Sequence, residues 1–332
     1  MAEAIAARRV LVTGATGFTG GHLARRLAAE GVAVRALVRN PHVAAPALPG
    51  IELAAGDLTD AGSLARAVAG VDVVYNVAAL YRAAGLDDTL YRAVNATAVG
   101  TLIDAAGAAG VKRVVHCSTV GVHGDIERPP ADEDAPLRPG DVYQETKLEG
   151  ESVARRAATE AGVQLVIVRP TGIYGPGDRR LLKLFRGVAR RRFVVLGRGD
   201  IWYHLTYIDD LVDGFRLCGT HPAAAGHTYI LSGPEVTTLN ELVAITAEVA
   251  GVSPPTLRLP VWPFWLAGAA CEVLCRPLGI EPPLYRRRVD FFTKSRAFRI
   301  DRARHELAFA PAVGLRDGVR RTLAWYKERG WI

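Results

Sequence analysis

The chain of 332 residues is poor in cysteine and methionine, with four and one respectively, and it has no charge-free apolar run long enough to cross a bilayer. Cys117, Cys218, Cys271 and Cys275 lie in apolar surroundings without the dense spacing of a disulfide-stapled secreted domain, so they read as reduced thiols. Cys271 and Cys275 share one face of a predicted helix, but no histidine or further cysteine stands beside them, and no metal site is expected. Residues 1–9 are too short and too quickly strand-like for a secretory leader, which leads us to expect a cytoplasmic protein. A gathered basic stripe is missing too. The net charge is +7, but arginines alternate with acids along the chain, which argues against nucleic acid as a partner. The short clusters at Arg179 and Arg180, at Arg190, Arg191 and Arg192, and at Arg286, Arg287 and Arg288 read as solvated faces, or more sharply as contacts to an anionic group on a substrate.

What is present is an apolar fraction of 49%, enough to bury one large core or a core with a dependent lobe. Short β-branched runs at 10–13, 33–38, 51–55, 71–76, 113–117 and 164–169 alternate with alanine-rich helical stretches, the pattern of parallel strands covered by helices on both faces. Leu23 and Leu27 mark the inner face of the first helix, and Gly31 is placed to end it. After Arg169 the alternation breaks into a Gly/Pro-rich turn at 170–177, and later segments gain proline, tryptophan and arginine. Residues 228–232 read as a return strand.

The run Thr13-Gly14-Ala15-Thr16-Gly17-Phe18-Thr19-Gly20 follows the first strand and opens the first helix. Glycines there allow a tight turn and close approach to a pyrophosphate, and the helix N-terminus offers free amides to the anion. The alternative is a bare glycine-rich turn. With this motif in place the fold class is α/β. We expect a Rossmann-type doubly wound parallel sheet with a smaller, partly interleaved C-terminal substrate lobe. Residues 1–172 would bind the dinucleotide, with 201–235 returning to that domain, while 173–200 and 236–332 form the lobe. At the end of the second strand, Leu37-Val38-Arg39-Asn40 lacks the carboxylate that reads an NAD ribose. Arg39 suits a 2′-phosphate or stacking on adenine, so NADP is favoured over NAD. Asp57 and Leu58 would face the adenine, and Val77, Ala78 and Ala79 the pyrophosphate.

Tyr143 and Lys147 stand one helical turn apart. A free phenol titrates near pH ~10, so it moves protons at neutral pH only beside a cation such as the Lys147 ammonium. The spacing is weak by itself. Taken with 13–20, Asn76 to Ala79, Asn95, Cys117-Ser118-Thr119 and Arg169-Pro170-Thr171-Gly172-Ile173-Tyr174-Gly175-Pro176, the chain resembles the extended short-chain dehydrogenase/reductases over most of its length. The resemblance implies Tyr143 as proton donor and acceptor, with Lys147 lowering its pKa and binding the ribose. It implies Thr119, five residues before Gly124, as the hydroxyl that stabilises the reacting oxygen, Ser118 beside the nicotinamide, and Pro170, Thr171 and Ile173 at the cofactor. Asn95 would hold backbone and water near Lys147, or be structural; Thr119 has a plainer alternative as a cap of the strand end.

Two departures bear on the reaction. Nucleotide-sugar epimerases and dehydratases of this family carry Asn where Gly172 stands and Arg where Tyr203 stands, seven residues before Asp210. The C-terminal part, with Phe291-Phe292-Thr293-Lys294-Ser295-Arg296-Ala297-Phe298 and Arg321-Thr322-Leu323-Ala324-Trp325-Tyr326, is instead similar to the 3β-hydroxysteroid dehydrogenase and dihydroflavonol reductase branch. That branch implies oxidoreduction of a bulky, largely apolar, ring-containing alcohol or ketone, with the nucleotide-sugar epimerase and a non-catalytic dinucleotide-binding regulator as alternatives. The segment 259–275, with Trp262, Phe264, Trp265 and Leu266, is expected to line an apolar pocket, form a homodimer face, lie on a membrane surface, or simply be core of the small lobe.

Overall fold

The structure is a computed structural model and describes residues 4–81, 86–275 and 286–332. The Arg287 and Arg288 side chains of the third arginine cluster lie outside the described residues.

The strands are β1 (Arg9–Thr13), β2 (Ala33–Val38), β3 (Glu52–Ala55), β4 (Val73–Asn76), β5 (Arg113–Cys117), β6 (Gln164–Pro170), β7 (Gly172–Tyr174), β8 (Val195–Leu196), β9 (Trp202–Tyr207), β10 (Thr228–Leu231), β11 (Val236–Thr238) and β12 (Arg258–Leu259). Seven of them form one parallel sheet in the order β10-β6-β5-β4-β1-β2-β3. This is the doubly wound Rossmann-like architecture expected from the alternating runs.

Burial on both faces explains the continuous β-branched strands. Val10 and Val12 enter one hydrophobic cluster and Leu11 the other, all without solvent exposure, so successive side chains feed opposite layers. The chain crosses to one side of β1 through β2 and to the other through β4. Ligands bind at such a reversal, outside the carboxyl ends of the strands.

Of the stretch 201–235, the helix Ile208–Thr220 packs on β4, β5 and β6, and β10 extends the main sheet beside β6. β9 instead pairs with β7 and β11 in a separate three-stranded sheet. The segment 259–275 departs from two of the expectations. It forms the helix Trp262–Cys275, of which only Gly268 is buried, so it is not core of the lobe. Nor do its residues belong to the wall of the large cavity described next. No helix among the described residues is long and apolar enough to cross a membrane.

Candidate active site

At the end of β1 the chain turns through Gly14 at φ 70° and enters the helix Phe18–Ala29. A β-carbon on Gly14 would stand 2.9 Å from the Ala78 backbone, and one on Gly20 would stand 2.4 Å from the Gly14 carbonyl oxygen, so larger side chains are excluded. The N-cap Gly17 provides no side-chain acceptor for the first-turn amides. A narrow glycine cradle facing uncapped amides fits a pyrophosphate.

A cavity of about 1240 Å³ opens above this turn. Its wall brings together Gly14, Thr16, Gly17, Phe18 and Thr19 with Arg39, Asp57, Leu58, Val77, Ala78 and Ala79. Ser118, Thr119, Tyr143, Pro170, Thr171 and Ile173 join them, so that of the expected site residues all but Asn95 and Lys147 line this wall. Arg39 is exposed at the rim, and Asp57 is held below the usual carboxylate range by hydrogen bonds from Thr59, with Arg39 adding to the effect.

Two of the expected residues lie beneath the wall. Asn95, 1% exposed, accepts from the Leu80 amide at 2.8 Å and donates to the Leu80 carbonyl at 3.1 Å and to Thr146 Oγ1 at 3.2 Å. It fastens the segment after β4 to the helix Val142–Ala161. Lys147 is also 1% exposed, and burial lowers its pKa.

Lys147 Nζ lies 3.5 Å from His116 Nε2, a contact the sequence reading missed. Behind it runs a buried polar seam across the ends of β5, β4 and β1. Asn76 Nδ2 donates to His116 Nδ1 at 3.2 Å, Thr13 Oγ1 donates to Asn76 Oδ1 at 2.8 Å, and the Ala78 amide donates to Thr13 Oγ1 at 3.0 Å. Burial, reinforced by Lys147, keeps His116 well below its ordinary pKa, hence neutral. The seam ties the lysine to the backbone beside the glycine turn.

The helix Val142–Ala161 that carries Tyr143 and Lys147 begins with a cap. Asp141 accepts from the Gln144 amide at 2.9 Å, while Gln144 Oε1 accepts from the Gly140 amide at 2.7 Å. Tyr143 meets the Tyr81 ring edge-on at 4.9 Å. Thr119 caps the short turn Val120–His123, its hydroxyl oxygen accepting from the Gly121 amide at 3.0 Å. Gly124 at φ 70° closes that turn, and a β-carbon there would strike the Arg138 carbonyl at 2.1 Å.

The Ser118 hydroxyl points away from the cavity chemistry. It donates to Glu151 Oε1 at 2.5 Å, and Glu151 is held by Arg169 through two hydrogen bonds of 2.9 and 2.7 Å. Arg169 also donates to His123 Nε2 and to the Glu133 carbonyl. Glu151 and Arg169 form a buried ion pair whose remaining hydrogen-bonding groups are satisfied.

At the far end the wall is built from Leu80, Tyr81, Tyr203, Phe291 and Trp325, with Arg179, Arg180, Lys294, Arg296 and Arg329 among them. The Tyr203 hydroxyl donates to the Phe291 carbonyl, which fixes the helix Arg286–Thr293 against β9. Arg180 is held by Asp178 at 3.2 Å and by the Ile173 carbonyl at 2.9 Å, between the Phe18 and Tyr81 rings. Tyr81 follows directly on the Asn76 to Ala79 motif and was reachable by extending it. His116 and Arg329 carry no local signal.

Over residues 10–232 the sequence matches the NAD dependent epimerase/dehydratase family. The chain belongs to that family. It is 31% identical to a 3 beta-hydroxysteroid dehydrogenase/Delta 5→4-isomerase of Mycobacterium tuberculosis, covering 96% of this chain and 90% of that protein. It is 30% identical to the 2-alkyl-3-oxoalkanoate reductase of Stenotrophomonas maltophilia, covering 95% and 98%. Among solved structures it superposes on MoeE5 in complex with UDP-glucuronic acid and NAD with a TM-score of 0.75 at 26% identity, covering 97% and 99%. The chain is thus an extended short-chain dehydrogenase/reductase-type enzyme of a NAD-dependent family.

Proposed function

We propose that the chain catalyses net, NADP-dependent oxidoreduction between an alcohol and a ketone on a bulky, largely apolar substrate. The observation that carries this reading is the convergence of Tyr143 and Thr119 on one cavity wall over buried Lys147, at the foot of a chamber with aromatic walls. A dinucleotide held by its pyrophosphate at the glycine cradle would supply or accept the hydride through its nicotinamide. Tyr143 donates the proton to the carbonyl oxygen in the reducing direction and takes it back in the other. Lys147, buried beside neutral His116, would stabilise the phenolate and reach the ribose. Because the Thr119 oxygen accepts from Gly121, its own hydrogen is left to donate to the same substrate oxygen. Arg39 at the end of β2 pairs with a 2′-phosphate. In this reading 1–172 forms the dinucleotide half, and 173–200 with 236–332 forms the substrate lobe.

The nucleotide-sugar alternative draws support from Arg179, Arg180, Arg296 and Arg329 in the same wall, which suit a diphosphate. Against it, Gly172 offers no side-chain amide, a β-carbon there would displace the tip of the Leu205 side chain at 2.6 Å, and the Tyr203 hydroxyl is committed to Phe291. An absorbance trace separates the two, since an epimerase returns its hydride within one turnover. Steroid, flavonoid and terpenoid ketones are tested with NADPH beside UDP- and dTDP-sugars. Stoichiometric loss of NADPH on an apolar ketone is expected. Interconversion of sugar nucleotides without net cofactor change, with every ketone inert, overturns the proposal.

A further inference from the structure

The helix Trp262–Cys275 is apolar nearly all round and leaves much of that surface facing solvent. Trp262, Trp265, Leu266, Ala269, Ala270, Val273 and Leu274 recur at spacings of three and four, hence on one face. Trp262 is 65% exposed, Leu266 52%, Val273 71% and Leu274 68%. The helix's one charged side chain, Glu272, is taken up by Arg286, whose guanidinium sits 5.7 Å from the Trp265 ring.

The surroundings are basic. β12, which begins at Arg258 directly after the exposed Leu257, leads into the helix and pairs with β8. Arg190, Arg191 and Arg192 precede β8, all exposed, and among the described residues no carboxylate pairs with them or with Arg258. Phe193 meets Phe292, which brings that arginine loop to the helix Arg286–Thr293 packed on Trp262–Cys275.

We propose that this face docks on an anionic lipid surface. The helix lies in the headgroup plane, with its tryptophans, leucines and valine against the acyl boundary and the arginines at the phosphates. With 14 residues the helix is about 21 Å long, short of the ~30 Å apolar core, so it rests on the bilayer and does not span it. Charge decides between a bilayer and a second copy of the chain. A two-fold pairing of this patch gathers two sets of Arg190, Arg191, Arg192 and Arg258 around one interface without carboxylate partners among the described residues, whereas on an anionic surface charge and apolar burial act together. The proposal stands apart from the choice of substrate.

The test is co-sedimentation of the full chain with vesicles of phosphatidylcholine alone and of phosphatidylcholine with about a third phosphatidylglycerol. Partition onto the anionic vesicles is expected to be at least about tenfold stronger and to fall at high salt. The double variant Leu266→Glu, Val273→Glu should lose it by about tenfold or more. Arg190→Glu with Arg192→Glu should lose the preference for anionic lipid. Thermal melting and NADP+ titration confirm that each variant is folded. Equal partition on both vesicles, or full binding by the double glutamate variant, overturns the proposal. So does a parent that ignores vesicles and is a dimer which the same variant splits, because the face is then a subunit interface.

Discussion

Beneath the cavity, Lys147, His116, Glu151 and Arg169 are charged or polar groups with at most 3% exposure, and each has a partner. On the helix Trp262–Cys275 the arrangement is inverted, with tryptophan, leucine and valine facing solvent. Both are departures from apolar-in, polar-out, and they teach different things. Buried charge costs stability unless it is paired, so paired charge beneath a cavity singles out candidate groups for chemistry. Outward apolar surface costs little in the folded chain but marks a surface suited to a partner.

Substitutions in the two regions should therefore differ in kind. The largest expected effect is at Glu151. Glu151→Ala leaves Arg169 buried without its carboxylate and should lower unfolding stability by about 3–5 kcal/mol, read by urea denaturation. A loss below about 1 kcal/mol would show that water or His123 replaces the pair. Next comes Arg39, exposed at the rim. The parent should bind NADPH more tightly than NADH, and Arg39→Asp should reverse that order, each by about tenfold in a fluorescence titration. Equal affinities in the parent would reduce Arg39 to a stacking role.

A smaller effect has the opposite sign. Burial lowers the Lys147 pKa below its ordinary 10.5, so the fold disfavours the ammonium that the unfolded chain carries freely. That penalty is present below the folded-state pKa and is relieved as pH rises from there towards 10.5. Lys147→Met should accordingly raise Tm at neutral pH by a few degrees, roughly what 1 kcal/mol gives in a chain of this size, while weakening cofactor binding. The parent's advantage at alkaline pH should be absent from the variant. A lower Tm would mean that Cys117 and Glu151, which favour the ammonium, outweigh its burial. Smallest of all, Leu266→Gln on the outward helix should change unfolding stability by no more than about 0.5 kcal/mol. A cost of several times that would place Leu266 in a core.

The same contrast separates what was legible in the sequence from what was not. Gly14 and Gly20 announce themselves because a local backbone turn admits no side chain, and Tyr143 and Lys147 because helical spacing alone puts them on one face. The parallel sheet follows from strands buried on both sides, such as Val10 to Val12. His116 sits in a β-branched run like any core residue, and only the crossing of β4, β5 and the helix Val142–Ala161 gives it Lys147 and Asn76 as partners. Ser118 lines the cavity wall, but the partner of its hydroxyl, Glu151, stands 33 residues away and carries no local signal. The direction faced by Trp262 and Trp265 likewise depends on how their helix packs on the helix Arg286–Thr293. Hydrophobicity alone favoured a pocket wall or core as readily as an exposed face.

Tyr143 as the proton donor is the role on which the proposed reaction turns. The direct measurement is single-turnover oxidation of NADPH by the parent and by Tyr143→Phe on a ketone that the parent reduces, with NADP+ affinity measured in parallel. The account predicts a rate lower by at least about two orders of magnitude at unchanged NADP+ affinity. A Tyr143→Phe rate within a few fold of the parent, at the same affinity, would contradict it.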